Sequence, residues 1–110
     1  MIHRDVDTFL LIENNMERYY CRPIKRYVCF AYKKIHGVSK VYMVAHTNGE
    51  LLNCITLDVP TGRNFCAYID NKTYPWLATW LVEKDVAHPT HRSLFKDGFV
   101  YHEFKFRKEY

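Results

Sequence analysis

Hydrophobic and polar side chains alternate along several stretches of this chain, which is the pattern of β-strands with one face in a core. Within residues 26–34, Val28 and Phe30 alternate with Tyr27 and Cys29. The runs rich in β-branched and aromatic residues are 26–34, 39–46, 51–59, 65–70 and 99–107. Glycine-containing dipeptides, an Asn-Gly pair among them, mark the turns of the chain. The pattern predicts an antiparallel sheet of about five strands.

One segment has helical periodicity instead. Its apolar residues form an i, i+4 stripe that consists of Trp76, Leu77, Trp80 and Leu81. Pro75 suits the first helical turn, so we predict a helix from Pro75 to Lys84 that packs its apolar stripe on the sheet. Asp70 and Asn71 are expected to close the preceding turn through side-chain bonds to backbone N–H groups.

The length of 110 residues and mass of 13.2 kDa allow one domain with a core of its own. The predicted fold class is α+β, with residues 1–110 as a single domain. Residues 1–17 form either a flexible or a helical extension, and a short helix over residues 5–14 would turn Val6, Phe9 and Leu10 inward.

The chain has neither the apolar span of a membrane helix nor the positively charged start of a secretion signal. We therefore expect a cytoplasmic protein with no membrane partner. The four cysteines are well separated in sequence, and we expect them to be reduced and mostly buried. The sequence leaves open whether the protein is a monomer or a homodimer.

The net charge of +4 conceals an uneven distribution of charge. Residues 1–17 have a net charge of −3, whereas residues 18–49 contain seven basic residues, several tyrosines and no acidic residue. Basic groups beside aromatic rings suit an acidic protein surface or single-stranded nucleic acid. A sheet with aromatic residues inside and basic residues in water would have the same composition. The candidate partner-binding residues are Arg18, Arg22, Lys25, Arg26, Tyr27, Tyr32, Lys33 and Lys34.

Catalytic signatures are sparse. The glycines are all needed at turns, so no phosphate-binding loop remains, and no GxSxG motif is present. Cys66 could pair in space with His88 or His102, and His88-x-x-His91 has the spacing closest to a metal pair. Two histidines in a loop are more typical of a solvated surface, so we assign no catalytic residue, no metal and no cofactor. An enzyme with a cysteine–histidine or metal site therefore stays a third hypothesis, behind the two given below.

From about Leu57 onward, a set of residues recurs in a characteristic order and spacing, namely Leu57, Val59, Pro60, Ala67, Tyr68, Ile69, Asp70, Asn71, Pro75, Trp76, Leu77, Ala87, Pro89, Thr90, Gly98, Tyr101, Glu103, Phe104 and Phe106. At these positions the chain resembles a family of short bacterial proteins known only as a domain of unknown function, numbered 4313. Proteins of this family occur on plasmids, integrative elements and phages of Gram-positive bacteria. The resemblance implies a small α+β fold and a mobile-element origin, and it assigns no functional residue.

These observations support two leading hypotheses. The first is a non-enzymatic phage or mobile-element protein that binds and inhibits a host protein, such as a CRISPR–Cas effector or another nucleic-acid-bound defence complex. The positive net charge argues against a mimic of nucleic acid. The alternative is a protein that binds single-stranded nucleic acid through the basic aromatic segment 18–49.

Overall fold

The computed structural model describes residues 18–46 and 49–107, so the helix predicted over residues 5–14 lies outside the described residues. In chain order, the described elements are strand β1 (Tyr19–Cys21), a 3₁₀ turn (Arg22–Ile24), β2 (Arg26–Ile35), β3 (Val38–Ala45), β4 (Leu51–Cys54), β5 (Cys66–Tyr68), helix α1 (Leu77–Glu83), β6 (Ala87–Lys96) and β7 (Phe99–Phe106). These elements confirm a small α+β fold.

The described strands form two antiparallel sheets, with the orders β1-β2-β3-β4 and β5-β7-β6. The prediction of one sheet of about five strands is therefore wrong in its strand count. Strands β1 and β6 were not predicted, and β6 pairs with β7 around the Asp97-Gly98 turn. A bulge between Pro89 and Ser93 interrupts its alternation, and His91 adopts a positive φ of 73° there.

Backbone hydrogen bonds around Ile55 and Ile69 join the two sheets. The Ile55 N–H donates to the Val41 carbonyl at 2.9 Å, and the Ile55 carbonyl accepts from the Asp70 N–H at 2.8 Å. On the other side, the Ile69 N–H donates to the His102 carbonyl at 2.9 Å. An isolated antiparallel bridge therefore connects β3 to β7 through two short segments, and both sheets curve around one core.

The core contains residues of both sheets and of α1. The Phe30 and Trp80 rings lie 5.8 Å apart, and Leu77 and Leu81 are fully buried beside them. The predicted helix is thus confirmed, although it begins at Leu77. The residues before it form turns instead, in which the Leu77 N–H donates to the Tyr74 carbonyl at 3.0 Å.

The two turn residues before α1 have different roles. Asp70 Oδ1 accepts from the Thr73 N–H at 3.1 Å, which confirms the predicted capping of the turn. Asn71 instead binds the backbone of β7, where its Oδ1 accepts from the His102 N–H and its Nδ2 donates to the Val100 carbonyl, both at 3.1 Å. Asn71 therefore attaches this turn to the three-stranded sheet.

Glu103 of β7 is a buried carboxylate. The Thr90 hydroxyl donates to its Oε1, and Arg92 Nε lies 3.7 Å from the same oxygen. Both partners belong to the β6 bulge, so the irregular backbone places a hydroxyl and a guanidinium over a carboxylate that would be costly to bury alone.

Within residues 18–46 and 49–107, no helix has the length and apolar character needed to cross a membrane.

Two neighbouring helix residues provide a matched test of the core. Leu81→Ala removes a fully buried side chain, so we expect the free energy of unfolding to fall by about 2–5 kcal/mol. Val82→Ala alters the exposed side of the same turn, and we expect a change of about 0.5 kcal/mol or less. Urea denaturation of both variants measures the difference. Equal losses would contradict the described orientation of α1.

Candidate functional site

Five of the predicted partner-binding residues meet at one end of the four-stranded sheet. Tyr20 of β1 joins them because it is paired directly with Tyr27 of β2. We call this surface the basic aromatic patch, and it consists of Arg18, Tyr20, Arg22, Lys25, Arg26 and Tyr27. All six residues are exposed.

The two tyrosines of the basic aromatic patch form its apolar part. Their rings meet edge to face with centroids 5.1 Å apart, and the Arg18 guanidinium carbon lies 4.8 Å from the Tyr27 ring centroid. Tyr20 is 40% and Tyr27 48% exposed, although both contain large apolar surfaces. The cation–π and ring contacts hold these side chains in place and limit the entropy that binding would remove.

The 3₁₀ turn places the remaining basic residues. Pro23 lies in its first positions, and the turn closes when the Lys25 N–H donates to the Arg22 carbonyl at 3.0 Å. Lys25 has a φ of 56°, in the left-handed region, and this conformation ends the turn before β2 begins. Cys21 is buried beneath the turn, so the basic side chains on either side point into solvent.

The cations of the basic aromatic patch are not neutralised within the part of the chain that the structure describes. None of Arg18, Arg22, Lys25 and Arg26 forms an ion pair with a carboxylate of residues 18–46 or 49–107. Exposed cations held close together repel one another, and an acidic partner would relieve that repulsion. The surface is therefore suited to a negatively charged ligand.

A groove of about 300 Å³ lies beside the basic aromatic patch, between the 3₁₀ turn and α1. Its walls include Pro23, Trp76 and Trp80, whose indole rings lie edge to face 6.1 Å apart. Trp80 Nε1 donates to the Tyr20 carbonyl at 3.1 Å, and this bond attaches the helix to β1. Helical periodicity predicted that both tryptophans face the core, and both do. It could not predict the groove, because it does not show which distant strand lies next to the helix.

The other three predicted residues lie elsewhere. Lys33 is six residues from Tyr27 along β2, a distance of about 20 Å. Tyr32 is half-buried, packs against the core and meets the Phe106 ring edge to face at 5.8 Å. Lys34 Nζ donates to Asn64 Oδ1 at 3.1 Å. The structure therefore separates Tyr32, Lys33 and Lys34 from the basic aromatic patch and places them around a second cavity, of about 230 Å³.

The buried thiols are poorly suited to nucleophilic chemistry. Burial raises the pKa of Cys21, Cys29 and Cys66, and the Glu103 carboxylate raises the pKa of Cys66 further. A raised pKa keeps a thiol in its protonated, weakly nucleophilic form. Cys66 pairs with Lys105 across the sheet, so their side chains lie on the same face. His102 lies three residues before Lys105 on the same strand, and this odd separation places its side chain on the opposite face.

The two candidate metal histidines have other surroundings. A ring nitrogen of His88 lies 2.6 Å from Asp85 Oδ1, and Arg107 Nη1 lies 3.7 Å from Asp85 Oδ2. His91 is an exposed residue of the β6 bulge. No group of three His, Cys, Asp or Glu side chains converges among the residues that the structure describes.

Comparisons of the chain with known protein families, with curated proteins and with solved structures find no match. The resemblance of the C-terminal half to a domain of unknown function therefore stays a prediction. The argument for a binding site at the basic aromatic patch depends on the geometry and charge of its own residues.

The Asp85–His88 contact predicts a pH dependence. The His88 hydrogen bond, aided by the Arg107 charge, lowers the pKa of Asp85 below its ordinary value of 3.8. Because the folded-state pKa is the lower one, the stabilisation is present above about pH 4 and is lost as the pH falls through the folded-state pKa. We expect Asp85→Asn to reduce stability near pH 6, and we expect this difference to shrink by pH 2 to 3, as measured by urea denaturation.

The same measurement in a His88→Ala background is the control. Removal of the main partner should make the effect of Asp85→Asn both smaller and less dependent on pH. An effect that is the same at every pH in the native background would contradict the assigned contact.

Proposed function

We propose that this chain is a non-enzymatic protein of a phage or another mobile element that binds and inhibits a host protein, a bacterial defence nuclease such as a CRISPR–Cas effector. The observation that supports the proposal is the basic aromatic patch, whose exposed arginines pair with no carboxylate of the described residues and lie beside two tyrosines in mutual contact and a groove lined by tryptophans. The mobile-element origin rests on the sequence resemblance alone.

The composition of this surface favours a protein partner. Tryptophan, tyrosine and arginine are the residues most enriched where single side chains dominate binding energy. Here all three types border one groove, which would accept a projecting side chain of the partner. The positive charge of the arginines and of Lys25 favours an acidic partner surface and increases the rate at which the two proteins meet.

A nuclease offers such a surface at its catalytic centre. Enzymes that cleave phosphodiester bonds with magnesium hold the metal with carboxylates, so the centre is acidic when substrate is absent. Arg22, Lys25 and Arg26 would lie against these carboxylates and compete with the metal and the substrate. Inhibition would then follow from occupation of the centre and would require no chemistry by this chain.

Binding of single-stranded nucleic acid is the second candidate, and the same basic residues favour it. Its stacking platforms are less accessible, because Arg18 lies over the Tyr27 ring and Tyr32 packs against the core. A base could stack on Tyr27 only after Arg18 moved away.

A charge reversal within the basic aromatic patch tests the proposal. We expect Arg22→Glu with Arg26→Glu to weaken partner binding and inhibition by at least about tenfold, because two favourable ion contacts become repulsive. Arg63→Glu with Lys105→Glu makes the same change in charge at exposed positions outside the patch, and we expect it to retain binding. The measurements are capture and cleavage assays with purified defence nucleases, before and after removal of nucleic acid.

The outcomes separate the two candidates. Capture that persists after nucleic acid is removed and is lost only in the Arg22/Arg26 variant would support the inhibitor. Capture that disappears with nucleic acid, with an affinity that falls with salt by a log–log slope of about −0.7 per phosphate contact, would identify a binder of single strands. Full nuclease activity in every system, with no capture, would contradict both.

A further inference from the structure

A cavity of about 230 Å³ lies between the two sheets, at the opposite end of β2 from the basic aromatic patch. Strands β2 and β3 form one wall, and the segment that leads into β5 forms the other together with the end of β7. A cavity of about 150 Å³ in a protein core is sufficient to hold benzene, so this cavity has room for a small organic molecule.

The inner part of the cavity is apolar. The core side of the β2–β3 hairpin contributes Tyr32 and Val41, which are opposed across the two strands. On the other wall, Ala67 and Phe106 are buried, and the Phe106 ring meets the Tyr32 ring edge to face. Phe65 adds a third aromatic ring to the lining. These side chains would keep water away from the apolar body of a ligand.

Polar groups lie one step farther along the same face of the hairpin. Lys34 and Ser39 are the next opposed pair on the side that carries Tyr32 and Val41. The Lys34 Nζ donates to Asn64 Oδ1 at 3.1 Å, and this bond joins the four-stranded sheet to the segment before β5. An ammonium group has three donors, so two remain for a ligand. The cavity is therefore apolar within and polar at its rim.

The charge at this rim is positive. Asn64 is neutral, and Lys34 forms no ion pair with a carboxylate of residues 18–46 or 49–107. No Asp or Glu is among the described residues that line the cavity. Lys33 and Lys40 border it as well, but Lys40 is paired with Asp58 at 3.9 Å, so we assign the contact with a ligand charge to Lys34 alone. A ligand that suits this rim carries a negative charge.

The backbone at Phe65 is a second, independent indication of a binding site. Its φ is 63°, in the left-handed region, where a bulky residue is strained. The Phe65 carbonyl accepts from the Phe106 N–H at 2.7 Å, and Thr61 Oγ1 donates to the Cys66 carbonyl at 3.2 Å, so neighbouring bonds hold the strained segment in place. Strained residues held in this way cluster at ligand-binding sites.

We propose that this cavity binds a small organic anion, namely a carboxylic acid with an aromatic or short aliphatic body. The body would lie against Tyr32, Phe65 and Phe106, and the carboxylate would accept hydrogen bonds from Lys34 Nζ and the Ser39 hydroxyl. A ligand in this position contacts both sheets, so its binding would also stabilise the fold. The site is separate from the basic aromatic patch and does not depend on the function proposed for that patch.

An NMR titration of the isotope-labelled full-length chain tests the class of ligand. The probes are benzoate, phenylacetate and hexanoate, each compared with its neutral amide. We expect at least one acid to shift the methyl signals of Val41 and Ala67 saturably, with a Kd of about 1 mM or lower, and its amide to bind at least about tenfold more weakly. No saturable binding of any acid, or equal affinities of acid and amide, would overturn the proposal.

Variants of the same chain test the assigned groups. Lys34→Gln removes the charge at an exposed position, so we expect the Kd of the acid to rise at least about tenfold. Lys96→Gln makes the same change beside the β6–β7 turn, outside the cavity, and should leave the Kd unchanged. Equal losses in both variants would overturn the assignment, because they would indicate a general attraction of anions.

Ala67→Leu fills the cavity from its buried wall and should abolish binding of every acid. Retention of binding in a folded Ala67→Leu variant would place the acids elsewhere and overturn the proposal. Where this variant does not fold, the exposed lysine variants and the neutral amides still decide the outcome.

Discussion

The backbone junction at Ile55 and Ile69 is the constraint on which the two-sheet architecture depends. The first four described strands end with β4 at Cys54, and the other three begin with β5 at Cys66. The hydrogen bonds from Ile55 to Val41 and from Asp70 to Ile55 join the two groups. Both isoleucines are fully buried, so these polar groups have no water to replace a lost partner. The junction thus orients two curved sheets around one core, against which α1 packs.

The same core determines where the basic aromatic patch lies. Trp80 is buried between the sheets through its contact with Phe30, while its indole N–H reaches the Tyr20 carbonyl at the surface. One side chain therefore connects helix packing to the position of β1 and of the turn that follows. The groove beside this turn is a consequence of that contact, and a change in helix packing would alter the groove as well.

Local patterns predicted the parts of the fold that local physics determines. The stripe from Trp76 to Leu81 identified the helix, and the alternating run that contains Val28 and Phe30 identified β2 as a strand. Strands β1 and β6 were not predicted: β1 has only three residues, and Pro89 with the following bulge disrupts the alternation of β6. The division into two sheets could not be predicted either, because the junction between them depends on contacts between residues that are distant in the sequence.

The candidate site was predictable to a similar extent. Residues within one hairpin, such as Arg22 and Tyr27, are close in space because they are close in sequence. Tyr32 is five residues farther along the same strand, and this odd separation turns its ring to the core side. The alternation of the strand was enough to place Tyr27 and Tyr32 on opposite faces. The groove of Trp76 and Trp80, in contrast, could be found only by knowing which strand adjoins the helix.

The sequence of strand β2 also carries information about burial that alternation alone does not. The run from Tyr27 to Tyr32 contains no charged residue on either face, which is typical of a strand buried on both sides. Cys29 and Ala31 are small, and small side chains allow another element to approach a sheet closely. An exposed face in water would favour polar residues at these positions. Burial on both sides therefore belongs to the design of this sheet, and the charged residues of β2 are confined to its two ends.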